Sequence, residues 1–245
     1  MIFLSVLLTK TFSSSKLIRF RLLNGRYGEN RKWRTNEMKN FVYVTKKEHT
    51  PIKNQLIELI NLVQDEVREH FTFSFKFIGS ADRNMITCDY STNVGFDFDI
   101  NIYVNDEENN FSPKKIKDIL RRGFDKHARK FNYDNAEDSK RVLTIKVKDK
   151  VNSKILHSCD FAVVHDYGEG QQEYIHYNKK QNTYEWQEQP DGFYQLPQKI
   201  QYLKNNGLWQ EVRDDYLYRK NTNTINSKKS RSLFAETINA LYNQN

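Results

Sequence analysis

Residues 77–85 read Phe77-Ile-Gly-Ser-Ala-Asp-Arg-Asn-Met85, and residues 95–104 read Gly95-Phe-Asp-Phe-Asp-Ile-Asn-Ile-Tyr-Val104. The second stretch alternates: Phe96, Phe98, Ile100, Ile102 and Val104 are apolar, and Asp97, Asp99, Asn101 and Tyr103 fall between them. Side chains on a strand point to opposite faces in turn, so the apolar set enters a core while Asp97 and Asp99 emerge together on the other face. Two neighbouring carboxylates repel unless a cation or a shared proton relieves them. Mg²⁺, a hard cation that prefers oxygen ligands, is the natural relief.

The chain outward from this strand is long enough for one full core and a smaller lobe, at 245 residues and 38% hydrophobic content. It has 16 Phe and 14 Tyr but only 9 Gly and 4 Pro, which argues against long disordered linkers. The formal charge of +8 is unevenly placed. Residues 1–37 hold eight basic residues against Glu29 and Glu37, a net of +6, which leaves about +2 for the rest. Charge alone therefore does not make the body a nucleic-acid binder. Cys88 and Cys159 form no disulfide framework, and no Cys or His cluster has zinc spacing, so a reduced, cytoplasmic setting is expected. No apolar run reaches the roughly 18 residues of a membrane span. The abrupt composition change before Met38 suggests that translation begins there and that residues 1–37 are an upstream extension; the intact mass of the natural protein decides this.

Thr50-Pro51 reads as a helix start, with Leu56, Leu59, Ile60, Val63 and Val67 at helical spacing behind it. Phe71, Phe73, Phe75 and Phe77 alternate as a strand ending at Gly79-Ser80, where a turn opens a short helix. Asp82–Gly95 is polar and irregular before the strand Phe96–Val104. Ser112-Pro113 repeats the cap-plus-proline signal ahead of an amphipathic helix running to Phe131. Arg141–Lys148 alternates as a strand, and Ile155–Val164, apolar on both faces and bearing Asp160, reads as a central strand. Tyr174–Tyr177 and Thr183–Trp186 flank a polar turn as a hairpin. Three helical stretches follow: Pro197–Asn205, Leu208–Arg219 and Ser230–Tyr242.

Ile78-Gly79-Ser80, Asp97-Phe98-Asp99-Ile100 and Cys159-Asp160-Phe161, in that order, resemble the nucleotidyltransferase fold of the DNA polymerase β superfamily. The resemblance covers roughly residues 50–165, and the size and helical tail are most similar to bacterial relatives of cyclic-nucleotide and oligoadenylate synthases. It implies an α/β (α+β) fold, a mixed sheet flanked by helices with a small C-terminal helical lobe. The expected division is a core at 38–170 and a hairpin plus helical lobe at 171–245. It further implies transfer of a nucleoside monophosphate from a nucleoside triphosphate such as ATP to a hydroxyl, with pyrophosphate released. Two Mg²⁺ or Mn²⁺ ions would be held by Asp97, Asp99 and Asp160, the last nearest the acceptor hydroxyl. Gly79, Ser80 and the tail cations Lys199 and Lys220 would bind phosphates. A second nucleotide is the favoured acceptor, and a nucleotide second messenger the favoured product. The alternative is a non-catalytic module of the same fold that binds nucleotide or a partner protein.

The sixteen residues between Ser80 and Asp97 exceed the superfamily's usual spacer. Either a short insertion lies in 84–93, or the carboxylate element is elsewhere, with Asp89 as its stand-in. Each element also has a bland reading. Gly-Ser is a common turn, and paired aspartates can form a solvated strand face. His157 and His165 are more often core or surface filler than bases. Lys199, Lys204, Arg219 and Lys220 are ordinary solvated helix residues unless the fold brings them to the carboxylates. Trp186, Trp209 and Tyr216 could stack a base, but at such spacings aromatic residues usually pack in the core.

Overall fold

The computed structural model describes residues 39–244 apart from 107, 109, 169–170, 190–194 and 226, so the expectation for 1–37 lies outside the described residues. The alternation of Phe96–Val104 becomes the strand β4 (Phe96–Asn105), and the phenylalanine run becomes β2 (Thr72–Ile78), paired antiparallel with it. β7 (Lys154–Gly168) lies on β4's other edge in parallel register. β6 (Val142–Asp149) pairs antiparallel with β7 as far as Ala162, and β8 (Gln171–Asn178) takes over that edge from Val164. β5 (Glu137–Asp138) and β9 (Thr183–Glu188) complete a seven-stranded mixed sheet. Strand β7 is thus paired on both edges and central.

One face of the sheet is apolar. Phe98, Ile100, Ile102, Leu143, Ile145 and Phe161 have no exposed surface there. Fully burying each contributes about 1.5–3 kcal/mol. Helices α1 (Lys46–Val67) and α3 (Pro113–His127) cover this face with Leu56, Ile60, Val63, Ile116, Leu120 and Phe124, all part of the same core. The helical continuation to Phe131 tightens into a 3₁₀ turn over Ala128–Phe131. Helix α1 starts five residues before the expected Thr50-Pro51. Thr45 and Glu48 form a capping box in which the Thr45 hydroxyl accepts the Glu48 N–H and the Glu48 carboxylate accepts the Thr45 N–H. Pro51 therefore lies inside the helix, where its missing N–H leaves one carbonyl without its usual donor.

The opposite face carries β4's aspartates. At the end of β2, level with Asp99, the chain turns into the one-turn helix α2 (Gly79–Asp82). The polar segment that follows is not wholly irregular: β3 (Thr87–Cys88) pairs with β1 (Val42–Tyr43) as a two-stranded ribbon. Helices α4 (Leu196–Asn205), α5 (Trp209–Thr222) and α6 (Ser230–Gln244) form a lobe around Leu203, Val212, Tyr216, Leu233, Phe234 and Ile238. Met85, from the segment between α2 and β3, is buried in that lobe's core.

Candidate functional site

Gly79 has φ of +64°, and a Cβ there would lie 2.7 Å from Oδ2 of Asp99. Both facts demand glycine, since an L side chain would meet the left-handed backbone penalty and the carboxylate at once. The turn thus brings the backbone of 79–80 hard against Asp99. In the parallel ladder Asp97 is level with Ser158 and Asp99 with Asp160, so the three aspartates share one face across two adjacent strands. Thr144 lies opposite Asp160 on β6, and its hydroxyl donates to Asp160 Oδ1 at 2.5 Å.

Proximity shows in the acidities. Asp99 is pushed up to about 6, first by burial and then by the charges of Asp97 and Asp160, with Arg83 pulling the other way. Asp97 is raised by its recessed position and by Asp160, against Lys220. Its side chain still meets solvent, so the recess is an open cleft rather than a sealed core. Burial raises Asp160 too, while the Thr144 hydrogen bond and the Lys146 charge oppose it.

Asp97 and Asp99 line a cavity of about 600 Å³ between the sheet, the α2 turn and the helical lobe. Gly79, Ser80 and Lys220 line it as well, whereas Asp160 is set beside Asp99 and is not among the lining residues. The Lys220 ammonium donates to Thr87 Oγ1 at 2.5 Å. Three lining cations escaped the sequence reading, Lys76, Arg83 and Arg231. Arg83 stacks over the Phe234 ring, 4.0 Å from its centroid, and its buried Nε has no hydrogen-bond partner. Its position one helical turn beyond Gly79-Ser80 was a usable signal; Arg231, brought in from the last helix, had none. Beyond Asp99 the same strand face presents Asn101 and Tyr103, with Gln172 and Gln189 nearby and Lys76 level with Asn101 on β2, a polar wall that carries one cation.

The other candidates fall elsewhere. Lys199 donates to Asn239 at 2.6 Å within the lobe and does not line the cavity. Lys204 sits over Trp209, and Arg219 pairs with Asp215. Tyr216 does line the cavity, while Trp186 lines a second one of about 280 Å³ with His165 and Phe111. His157 is buried against Tyr133, 3.0 Å away, and burial holds it down at about 4, so it is neutral. The Asp89 carboxylate is used up by the N–H groups of Asn40 and Ser91 and the Ser91 hydroxyl, which removes it as the stand-in.

Three hard oxygen donors, of which Asp160 raises the proton affinity of Asp97 and both raise that of Asp99, form a set short of positive charge, which fits Mg²⁺ or Mn²⁺. Among the described residues no group of three or more His, Cys, Asp or Glu side chains is placed so that it could hold a metal ion by itself. Magnesium sites of the phosphate-handling kind are not of that type, because one or two carboxylates share the ion with water and substrate phosphates.

No protein-family model matches the sequence, and no curated protein matches it. Solved structures do match in fold. The Vibrio cholerae DncV cyclic AMP-GMP synthase, a prokaryotic cGAS homolog, superposes with a TM-score of 0.56 at 11% identity, over 81% of this chain and 68% of its own. The same enzyme with the linear intermediate 5′ pppA(3′,5′)pG gives 0.50 at 13% identity, over 81% and 52%. With GTP and 5MTHFGLU2 it gives 0.51 at 12%, over 81% and 55%. The chain thus spans about half to two thirds of the length of these structures. At such identity the likeness is one of fold: this chain has the cGAS-like nucleotidyltransferase fold of the bacterial enzymes it resembles.

Proposed function

We propose that this protein is a metal-dependent nucleotidyltransferase that transfers a nucleoside monophosphate from a nucleoside triphosphate to a hydroxyl on a second nucleotide. The observation that carries the reading is the trio Asp97, Asp99 and Asp160 on one face of two adjacent parallel strands, beside a cavity whose other wall supplies Arg83 and Lys220. Acid on one side and base on the other suit a triphosphate whose cations arrive with it. Mg²⁺ or Mn²⁺ ions, held by Asp97 and Asp99 and joined by Asp160, would neutralise the triphosphate and acidify the acceptor hydroxyl. Asp160, oriented by Thr144, takes the proton as the hydroxyl oxygen bonds to the α-phosphorus. The bond from the α-phosphorus to the bridging oxygen breaks, and pyrophosphate leaves with its charge met by Lys220, Arg83 and the N–H groups after Gly79. The polar wall of Asn101, Tyr103 and Gln172, with Lys76 beside Asn101, suits a nucleotide better than a polycationic antibiotic. The cavity volume lies in the range of nucleotide-sized ligands. The fold shared with a cyclic AMP-GMP synthase supports a small nucleotide product, a second messenger.

A second reading, a module of this fold that binds nucleotide without turnover, is favoured because among the described residues no three His, Cys, Asp or Glu side chains are placed to hold a metal ion by themselves. Incubating the protein with each labelled nucleoside triphosphate and Mg²⁺ or Mn²⁺, then resolving products, separates the two. The enzyme yields pyrophosphate and a linked nucleotide; binding without product selects the module.

A further inference from the structure

The ribbon of β1 and β3 joins the carboxylate sheet to the helical lobe at one place. Asn221, the neighbour of Lys220 on α5, makes two bonds to the backbone of Phe41: its Oδ1 accepts the Phe41 N–H at 2.7 Å, and its Nδ2 donates to the Phe41 carbonyl at 3.0 Å. The amide thereby stands in for a further strand along this part of the ribbon. Three more contacts pin the same segment. The Asn40 N–H donates to Asp89, Lys39 donates to the Asn223 carbonyl at 2.8 Å, and the Tyr43 hydroxyl donates to the Arg213 carbonyl at 2.7 Å.

What this clamp holds in place is the face of Phe41. The ring centroid lies 4.3 Å from the Lys220 ammonium, and Thr87, on the partner strand of the ribbon, accepts that ammonium's hydrogen bond. Lys220 is thus located by a ring, a hydroxyl and its own helix, and all three are tied together through Asn221. A lysine with four rotatable bonds otherwise wanders, since its head group is a flexible point charge. Cation–π contacts are strongest where the cation is partly desolvated, as it is beside this cleft.

We infer that Asn221 is a positioning residue, which clamps residues 39–43 so that Phe41 and Thr87 aim the Lys220 ammonium into the cavity at the β- and γ-phosphates of the bound nucleotide. The inference rests on the nucleotide-site reading above. It reaches beyond that reading by assigning a function to the ribbon, which lies outside the carboxylate constellation, and to an uncharged residue of the lobe.

The test is equilibrium binding of ATP and of AMP, each with Mg²⁺, to the full chain and to Lys220→Ala, Asn221→Ala and the double variant, with melting temperature followed in parallel. AMP lacks the phosphates that Lys220 would meet. The expected result is a loss of about tenfold in ATP affinity for Asn221→Ala, close to that for Lys220→Ala, with AMP affinity unchanged. The double variant should lose little more than either single one, because two residues acting through one ammonium are not additive. Equal losses for ATP and AMP, or additive losses in the double variant, would give Asn221 a merely structural role and overturn the inference. An Asn221→Ala protein that binds ATP normally while Lys220→Ala does not overturns the clamp alone. If the parent binds no nucleotide, or Lys220→Ala binds ATP as the parent does, the placement of phosphates at Lys220 fails and the clamp fails with it. Should Asn221→Ala melt below the assay temperature, Phe41→Leu, which keeps the backbone clamp and removes the aromatic face, must reproduce the ATP-selective loss.

Discussion

Asp99 carries the electrostatic tension of the site. Its carboxyl is held at about 6 against an ordinary 3.8, so the folded chain keeps a proton that the unfolded chain gives up. Below about pH 3.8 both states are protonated and the group has no effect on stability. Between there and about pH 6 the unfolded chain ionises first and stability falls, and above pH 6 the whole penalty is present. Asp99→Asn should therefore stabilise the metal-free protein by about 3 kcal/mol near neutral pH, a gain that shrinks away towards pH 4. Urea denaturation at several pH values reads this directly, and a variant less stable than the parent at neutral pH contradicts it. At this scale much was legible beforehand. Alternation alone placed Asp97 and Asp99 on one face, and a buried-looking Asp160 on a two-faced strand pointed to the same sheet. Lys199 and Lys220 were indistinguishable in sequence; the fold spends one on Asn239 and turns the other towards Asp97. Arg83 has no periodic signal, and its one usable signal is its place a helical turn beyond Gly79-Ser80, at the end of α2.

At the scale of elements, the strand β4 depends on Gly95 for its seat. A Cβ there would come within 2.0 Å of the Leu156 carbonyl oxygen, a backbone atom that has no room to give. Gly95→Ala should cost about 2–3 kcal/mol and displace Asp97 two residues on, so turnover falls further than the lost folded population accounts for. A urea midpoint equal to the parent's would show that the strand tolerates the methyl group. The long elements were readable because their hydrophobic period repeats over many residues: β2, β4, β6 and all three lobe helices lie within a few residues of their expected bounds. The ribbon was not, since Val42–Tyr43 and Thr87–Cys88 are two residues each and two residues have no period. Its pairing depends on residues more than forty positions apart. The start of α1 was misplaced because Thr50-Pro51 imitates a cap, whereas Thr45 and Glu48 supply the reciprocal bonds. The spacer anomaly between Ser80 and Asp97 has a physical content as well: its residues build β3 and send Met85 into the lobe.

For the whole molecule, the sheet presents Asp97 and Asp99 to the cavity, the lobe adds Lys220 and Arg231, and Lys76 of β2 and Arg83 after α2 complete the set of lining cations. The buried ion pair of Lys117 with Asp138, which also accepts the Tyr184 hydroxyl at 2.8 Å, ties α3 to β5 and β9 on the far side and keeps that frame stiff. Within the described residues no helix is long and apolar enough to cross a membrane. The central claim is that the paired carboxylates of β4 drive nucleotide transfer, and its most direct test is pyrophosphate release from nucleoside triphosphates with Mg²⁺ or Mn²⁺, compared between the parent and Asp97→Asn. The account predicts release by the parent and a fall of more than about a hundredfold in the variant, with its melting temperature no lower than the parent's. Release by Asp97→Asn at the parent's rate would contradict it.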